Sequence, residues 1–311
     1  MNRTYQKSAW NGLRGLILIL YIGLGLPTQA QITIAGDVYG GGKQGAVGLA
    51  NARVNADDVS QVELTTDAPQ DVTSVKVYGG TVRSLFGGGE NGRTFGNTAV
   101  TVIDGYVGRY EYRNTIVGGI YGGGEGASAD VFGNSRVTIA GGDILQKVYG
   151  GGKQADLMGN SSVTLRGGNI HGRVFGGACM ADVYGNAYVH VDGLHLADHL
   201  LVDAIYGGND ISGTICRVLP ENNKWTWLHT LSMPIPHAEG TDSLDVGSIN
   251  NTYNTFVRTT PEVQAATADD QKHIFIGQVF GGGYGDTQRY IYDESTHKVI
   301  ISRSEERRVG K

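Results

Sequence analysis

An aromatic residue followed by two or three glycines recurs along the chain, at Tyr39, Phe86, Tyr121, Tyr149, Phe175, Tyr206 and Phe280, usually with Val, Ile or Leu before it. Two other markers keep step with this phrase. The pair Gly-Asn recurs at Gly133-Asn134, Gly159-Asn160 and Gly185-Asn186, 26 residues apart, with an earlier copy at Gly96-Asn97. An alternating apolar segment starts at Val137, Val163 and Val189, again 26 apart, with earlier copies at Val75 and Val100. Three markers in one register define a structural repeat. A period of about 26 built from segments of five to seven residues predicts a parallel β-helix, or β-solenoid, with right-handed winding favoured. The class is all-β, because 50 of the 311 residues are glycine and each glycine inside a helix would cost roughly 1 kcal/mol relative to alanine. At the corners of such a coil, glycine supplies positive φ or close backbone approach.

Stacking would line up equivalent residues along the axis. Val137, Val163 and Val189, with Ile139, Leu165 and Val191 two residues on, are the expected core. Asn134, Asn160 and Asn186 are expected to form a hydrogen-bonded structural ladder at turns, where asparagine also tolerates left-handed backbone. Strand alternation sends Val148 and Tyr149 to opposite faces, so one apolar column faces away from the main core. Its aromatic members read as a stabilising stack, or alternatively as a platform for sugar rings. Glu125 and Lys153 hold one post-glycine position and are expected to pair across layers. Asp130, Asp156 and Asp182 form an acidic file whose charge needs solvent, turn amides or a hard cation; calcium is the alternative reading, although "GGGKQADLM" departs from the nine-residue calcium-binding roll pattern.

Two segments break the repeat and are expected to be irregular excursions, at about 51–74, which has no glycine, and 210–272, which carries Pro220, Pro234, Pro236 and Pro261. The second holds "NKWTWLH", making Trp225 and Trp227 the first place to look for ligand binding. Residues 1–30 follow the plan of a secretory signal peptide, with Arg3, Lys7 and Arg14 before the apolar run "LILILYIGLGL" and a small-residue site ending at Ala30. That predicts Sec-dependent export to the cell surface or medium, with no membrane span in the mature chain. At the other end, residues 303–311, "RSEERRVGK", back-translate into the codons of a common short-read sequencing adapter, so the natural polypeptide is expected to part from this sequence near Ser302 and to be longer. The solenoid domain is then 31–302. Without the leader and this tail, 18 basic residues face 28 acidic ones, about −10 net, which disfavours nucleic acid and anionic lipid as partners. Cys179 and Cys216 are the two cysteines, and export permits a disulfide between them if their geometry allows.

Catalytic signatures are sparse. Asp57-Asp58 and Asp269-Asp270 lie outside the regular repeat, and His190 with Asp192 shares one strand face. No G-x-S-x-G, H-E-x-x-H, C-x-x-C or phosphate-cradling loop occurs. No cofactor is expected.

Where "VYGGGKQ", "IYGGGEG" and "VFGGGYG" alternate with "GNSRVTIAGGDI" and "GNSSVTLRGGNI", the chain resembles the large glycine-rich, adhesin-like β-helix surface proteins of gut and oral Bacteroidota. The resemblance covers roughly Ile32 to Ser302 without the two excursions. It implies export and a rod-like, non-enzymatic body displayed outside the cell as a stalk or adhesive surface, with host or microbial glycans or surface proteins as partners. It brings no catalytic residues. The competing expectation is a carbohydrate-binding module or a polysaccharide lyase or hydrolase on a β-helix.

Overall fold

The computed structural model describes residues 31–48, 71–111, 113, 115–215, 243–248, 255–259, 273–285, 288–293 and 298–303. The chain divides after Ile32, and the architecture below is that of Thr33 onward. Among the described residues the strands are β1 (Thr33–Tyr39), β2 (Asp71–Val77), β3 (Thr81–Phe86), β4 (Asn97–Val102), β5 (Tyr106–Val107), β6 (Arg109–Tyr110), β7 (Ile116–Val117), β8 (Gly119–Tyr121), β9 (Ser135–Ile139) and β10 (Asp143–Ile144). They continue as β11 (Val148–Tyr149), β12 (Ser161–Leu165), β13 (Gly168–Phe175), β14 (Ala187–Asp192), β15 (Leu200–Tyr206), β16 (Ser243–Ser248), β17 (Thr255–Thr259), β18 (Ile274–Phe280), β19 (Gln288–Asp293) and β20 (Lys298–Arg303). The all-β expectation holds. Among the described residues no helix is long and apolar enough to cross a membrane.

The single-axis solenoid of equal 26-residue coils does not describe this molecule. Most strands fall into two sheets of unequal size, one of nine strands and one of seven, with mixed pairing. The larger sheet is parallel, and in it β3 pairs with both β5 and β8 while β10 pairs with both β5 and β13. The smaller sheet is parallel from β2 through β4, β9 and β12 to β14, then turns antiparallel at β16 and β17. Two separate antiparallel pairs, β6–β7 and β19–β20, stand outside both sheets. A uniform coil, and with it one hand of winding, is therefore not what the repeat encodes. The two excursions are corrected as well: β2 begins at Asp71, inside the first, and β16 and β17 come from the second and extend the smaller sheet.

The 26-residue markers do have a structural meaning, which is strand register. Val137, Val163 and Val189 are successive cross-strand partners, as are Ile139, Leu165 and Val191. All six are 0–1% exposed. The inward residues of both sheets, among them Leu85, Ile120, Val148, Val174 and Ile205 on one and Val100 and Val137 on the other, form one apolar core between them. Burying each such side chain contributes about 1.5–3 kcal/mol. The β-branched residues that dominate it suit strands covered on their inner face.

The glycines directly after the stacked aromatics Tyr121 and Tyr149 are required for closeness rather than for left-handed backbone. Gly122 and Gly150 do not have positive φ, but a Cβ on Gly122 would overlap the carbonyl oxygen of Gly150, and one on Gly150 would overlap that of Gly176. The N–H of each first glycine donates to the carbonyl of the next strand's aromatic residue, as in Gly122 N to Tyr149 O (3.0 Å) and Gly150 N to Phe175 O (2.9 Å). The sheet hydrogen bonding thus runs on through the phrase.

Candidate functional site

Three files of polar groups bind each strand layer to the next. Asn97, Asn134 and Asn160 each accept, through Oδ1, the backbone N–H of the next asparagine, at 2.8, 2.9 and 2.7 Å, ending on Asn186. Their backbones are right-handed or extended: the one non-glycine residue with positive φ among the described residues is Arg113. Beside them runs a file that sequence reasoning missed. The hydroxyls of Thr73, Thr98, Ser135 and Ser161 donate to the carbonyl oxygens of Gly87, Gly122, Gly150 and Gly176 at 2.5–2.7 Å. All four side chains are buried. The signal was present, since a small hydroxylated residue follows the Gly-Asn pair at Thr98, Ser135 and Ser161; the file stops where Ala187 takes that place.

The acidic file is built on the same pattern. Asp130 Oδ1 accepts the N–H of Asp156 (3.2 Å), Asp156 Oδ1 that of Asp182 (2.9 Å), and Asp182 Oδ1 that of Thr214 (2.7 Å). Turn amides therefore supply donors along the file. Burial, with the charge of Asp156 adding to it, pushes the Asp130 carboxyl up to about 6. Among the described residues no group of three or more His, Cys, Asp or Glu side chains is arranged to hold a metal ion.

The aromatic column is a continuous stack. Tyr39, Phe86, Tyr121, Tyr149, Phe175, Tyr206 and Phe280 lie ring on ring with centroids 4.7–5.2 Å apart and interplanar angles of 4–14°. Val148 and Tyr149 do point to opposite faces, and both faces are covered: Tyr149 and its neighbours form a second core with Cys179 and Ala204. A sugar platform along the stack is excluded in its interior, where the rings from Phe86 to Tyr206 are 0–7% exposed.

The polar edge of that second core is the most concentrated chemistry among the described residues. Lys147 Nζ and Tyr149 OH both donate to Asp210 Oδ2 at 2.7 Å, and Lys147 also lies over the Phe175 ring at 5.7 Å. Asp210 is 1% exposed, and its Oδ1 has no hydrogen-bond partner among the described residues. Burial pushes the Tyr149 phenol far above its ordinary range, helped by Cys179 and Asp210, so it remains a neutral donor. Burial likewise raises the Cys179 thiol, which works against a reactive thiolate. Along the same edge Glu125 meets Lys153 at 2.9 Å and accepts from the Tyr39 hydroxyl. Asp210 also borders a pocket of about 290 Å³ with Asn209, Ser212 and Tyr284. Tyr284 is held by the Arg173 guanidinium, 4.2 Å over its ring, and by an edge contact with Tyr206.

The same-face pair His190 and Asp192 is not a functional pair. His190 Nδ1 lies 2.6 Å from Asp245 Oδ1 on β16, and Tyr188 OH donates to the same oxygen at 2.6 Å. Asp192 is bound by Arg166 Nε (2.9 Å) and by His195. Burial raises its carboxyl, but those bonds hold it below its ordinary range overall. Trp225, Trp227, Cys216, Asp57, Asp58, Asp269 and Asp270 lie outside the described residues, and with Cys216 so does any pairing of Cys179. Cys179 itself is buried. No protein-family model, curated protein or solved structure matches this chain.

Proposed function

We propose that this chain is an exported, non-catalytic, adhesin-like surface protein, with glycans or surface proteins of host or microbe as its partners. One observation carries the reading: among the described residues, the amide and carboxylate files of the repeat are engaged between layers instead of converging in a groove as a hydrolase or lyase would need. Asn134, Asn160, Asp130 and Asp156 each hold the backbone of the next layer, and Asp210 and Glu125 close the ends of tyrosines and lysines. General acid and base work requires groups reachable by substrate, and these are committed to the fold. The leader-like residues 1–30 and the acidic body support the exported setting.

A carbohydrate-binding reading has its own support in the pocket beside Asp210, where the half-exposed Tyr284 offers a ring near polar groups. Expression of the full chain in a bacterial host separates these readings. The expected result is a mature N-terminus at Gln31, loss of the protein from intact cells on protease shaving, and retention on some members of an immobilised glycan or surface-protein panel. Release of reducing ends or unsaturated sugars from polysaccharide would overturn the non-catalytic reading. Retention in the cytoplasm with Met1 intact would overturn export.

A further inference from the structure

The outer face of the nine-stranded sheet has two unlike halves. Where its layers run into the glycine phrases, the outward side chains are the stacked rings, and they are covered. Earlier in each layer the outward file is Tyr106, Asp143, Asn169 and Leu201, one each from β5, β10, β13 and β15. Their inward neighbours Val107, Ile144, Ile170 and Val202 are 0–2% exposed, whereas Tyr106 is 47% and Leu201 43% exposed. Each of these four strands has a strand neighbour on both sides, so the exposure belongs to the face and not to an edge of the sheet.

The polar members of this file are braced by one another. Asn169 Nδ2 donates to Asp143 Oδ1 (3.1 Å), and Nε2 of the exposed His171 lies 3.4 Å from the same oxygen. His199 bridges Asn169 Oδ1 (3.1 Å) and Asp198 Oδ2 (2.8 Å). Asp143 Oδ2 accepts no hydrogen bond among the described residues. Side chains already held in place lose less freedom when a ligand arrives. Beside the file runs a strip of bare backbone. Gly105, Gly142 and Gly168 stand immediately before Tyr106, Asp143 and Asn169 in the same register, with φ of 108°, 86° and 96°. A Cβ on any of the three would overlap the carbonyl oxygen of a glycine in the adjacent layer. No side chain can therefore rise there and crowd the flank of the file.

An exposed aromatic ring next to a fixed carboxylate, amide and imidazole is the chemistry that receives a hydroxylated ring: apolar C–H groups on the aromatic face, hydroxyls on the polar groups. Tyr106 and Leu201 are three layers apart, about 14 Å at the spacing of neighbouring strands, which suits a short chain of sugars better than one. Charge narrows the choice further. The carboxylates of Asp104, Asp143 and Asp203 are exposed or half-exposed on this face, while the arginines nearest in sequence to the file, Arg109 and Arg166, are bound to Glu111 and Asp192. An acidic sugar chain would meet repulsion without a free guanidinium to offset it.

We propose that this face holds a neutral oligosaccharide lying across the strands, one ring against Tyr106 and its hydroxyls bonded by Asp143, Asn169 and His199. The proposal rests on the adhesin-like reading above and gives its glycan partner a place.

Affinity electrophoresis of the full chain through gels containing glucan, xylan, mannan or polygalacturonate tests it. The expected result is retardation by at least one of the three neutral polymers and none by polygalacturonate. Tyr106→Ala and Asn169→Ala are each expected to weaken that binding by at least about fivefold, with circular dichroism and urea midpoint unchanged. Tyr106→Phe keeps the ring and is expected to keep the binding, and Lys76→Ala, on the smaller sheet, to leave it as in wild type. A wild-type chain that no neutral polymer retards overturns the proposal and leaves surface proteins as the partners of the broader reading. Neutral-polymer binding that survives both Tyr106→Ala and Asn169→Ala overturns this face while the adhesin-like reading stands. Binding lost in Tyr284→Ala but not in Tyr106→Ala overturns it in favour of the pocket beside Asp210, and preference for polygalacturonate overturns it on charge.

Discussion

Asp130 is the residue at which the acidic file carries a measurable cost. Its carboxyl is buried, and its folded value of about 6 lies above the unfolded range near 4. A raised carboxyl binds its proton more tightly in the folded state, so its stabilising effect is complete below about pH 4 and is lost as pH rises through about 6. The shift corresponds to roughly 2–3 kcal/mol between those limits. Asp130→Asn keeps the oxygen that accepts the Asp156 N–H and removes the charge. The variant is expected to be more stable than wild type at pH 7, with a flatter dependence of the urea midpoint between pH 4 and 7; lower stability at pH 7 would show that the charge is compensated. The glycines give a second residue-scale contrast. Gly122→Ala drives a Cβ into the Gly150 carbonyl, whereas Gly36→Ala meets nothing within 4 Å. Urea denaturation is expected to show a loss of at least about 2 kcal/mol for the first and a change within about 0.5 kcal/mol for the second.

At the scale of the element, the decisive join is between β14 and the β16–β17 hairpin. β14 lies at the end of the parallel run, and its outer edge is taken by a strand that pairs the other way. Asp245, fully buried, fixes that join by accepting from Tyr188 and lying against His190, both on β14. Asp245→Ala leaves the buried Tyr188 hydroxyl and the part-buried His190 ring without this acceptor, a change of the kind that costs about 1–3 kcal/mol for a buried group. Hydrogen exchange in Ser243–Ser248 is expected to accelerate in the variant, while Ser135–Leu165 stays protected; uniform acceleration in both would mean the hairpin is integral to the whole sheet. This join also marks the limit of what the sequence discloses. The Val137, Val163 and Val189 file was legible because three independent markers repeat in the same register. The reversal at β16 was not, because "SLDVGS" carries none of those markers and its partner lies more than fifty residues away. The acid near His190 that local alternation offered was Asp192; the acid it meets is Asp245, and only tertiary pairing selects between them.

For the molecule as a whole, unequal spacing explains why a regular period failed to give the architecture. The aromatic phrase recurs at 26 residues in one interval and 74 in another, yet all seven rings stack. Register is conserved at the strands, and the extra length is spent between them, on β6–β7 in one place and on β16–β17 in another. A layer should therefore be removable if the cut respects register. Deleting residues 134–159 takes out 26 positions and joins Gly133 to Asn160, so that β9 is replaced by β12 and Tyr121 meets Phe175. The Asn, hydroxyl and Asp files all close up across the gap. The costliest loss is at Asp210: Tyr121 moves into the place of Tyr149, but Gly119 stands where Lys147 stood, so Asp210 becomes a buried carboxylate without its cation, a cost of about 3–5 kcal/mol. The deletion alone is accordingly expected to be severely destabilised, and the deletion combined with Asp210→Asn to recover a single cooperative urea transition at a lower midpoint than wild type. Deleting 134–146 instead removes β9 but keeps β11, shifting one sheet against the other, and is expected to yield no cooperative transition. Equal behaviour of the two deletions would mean that register between strands is not what organises the molecule.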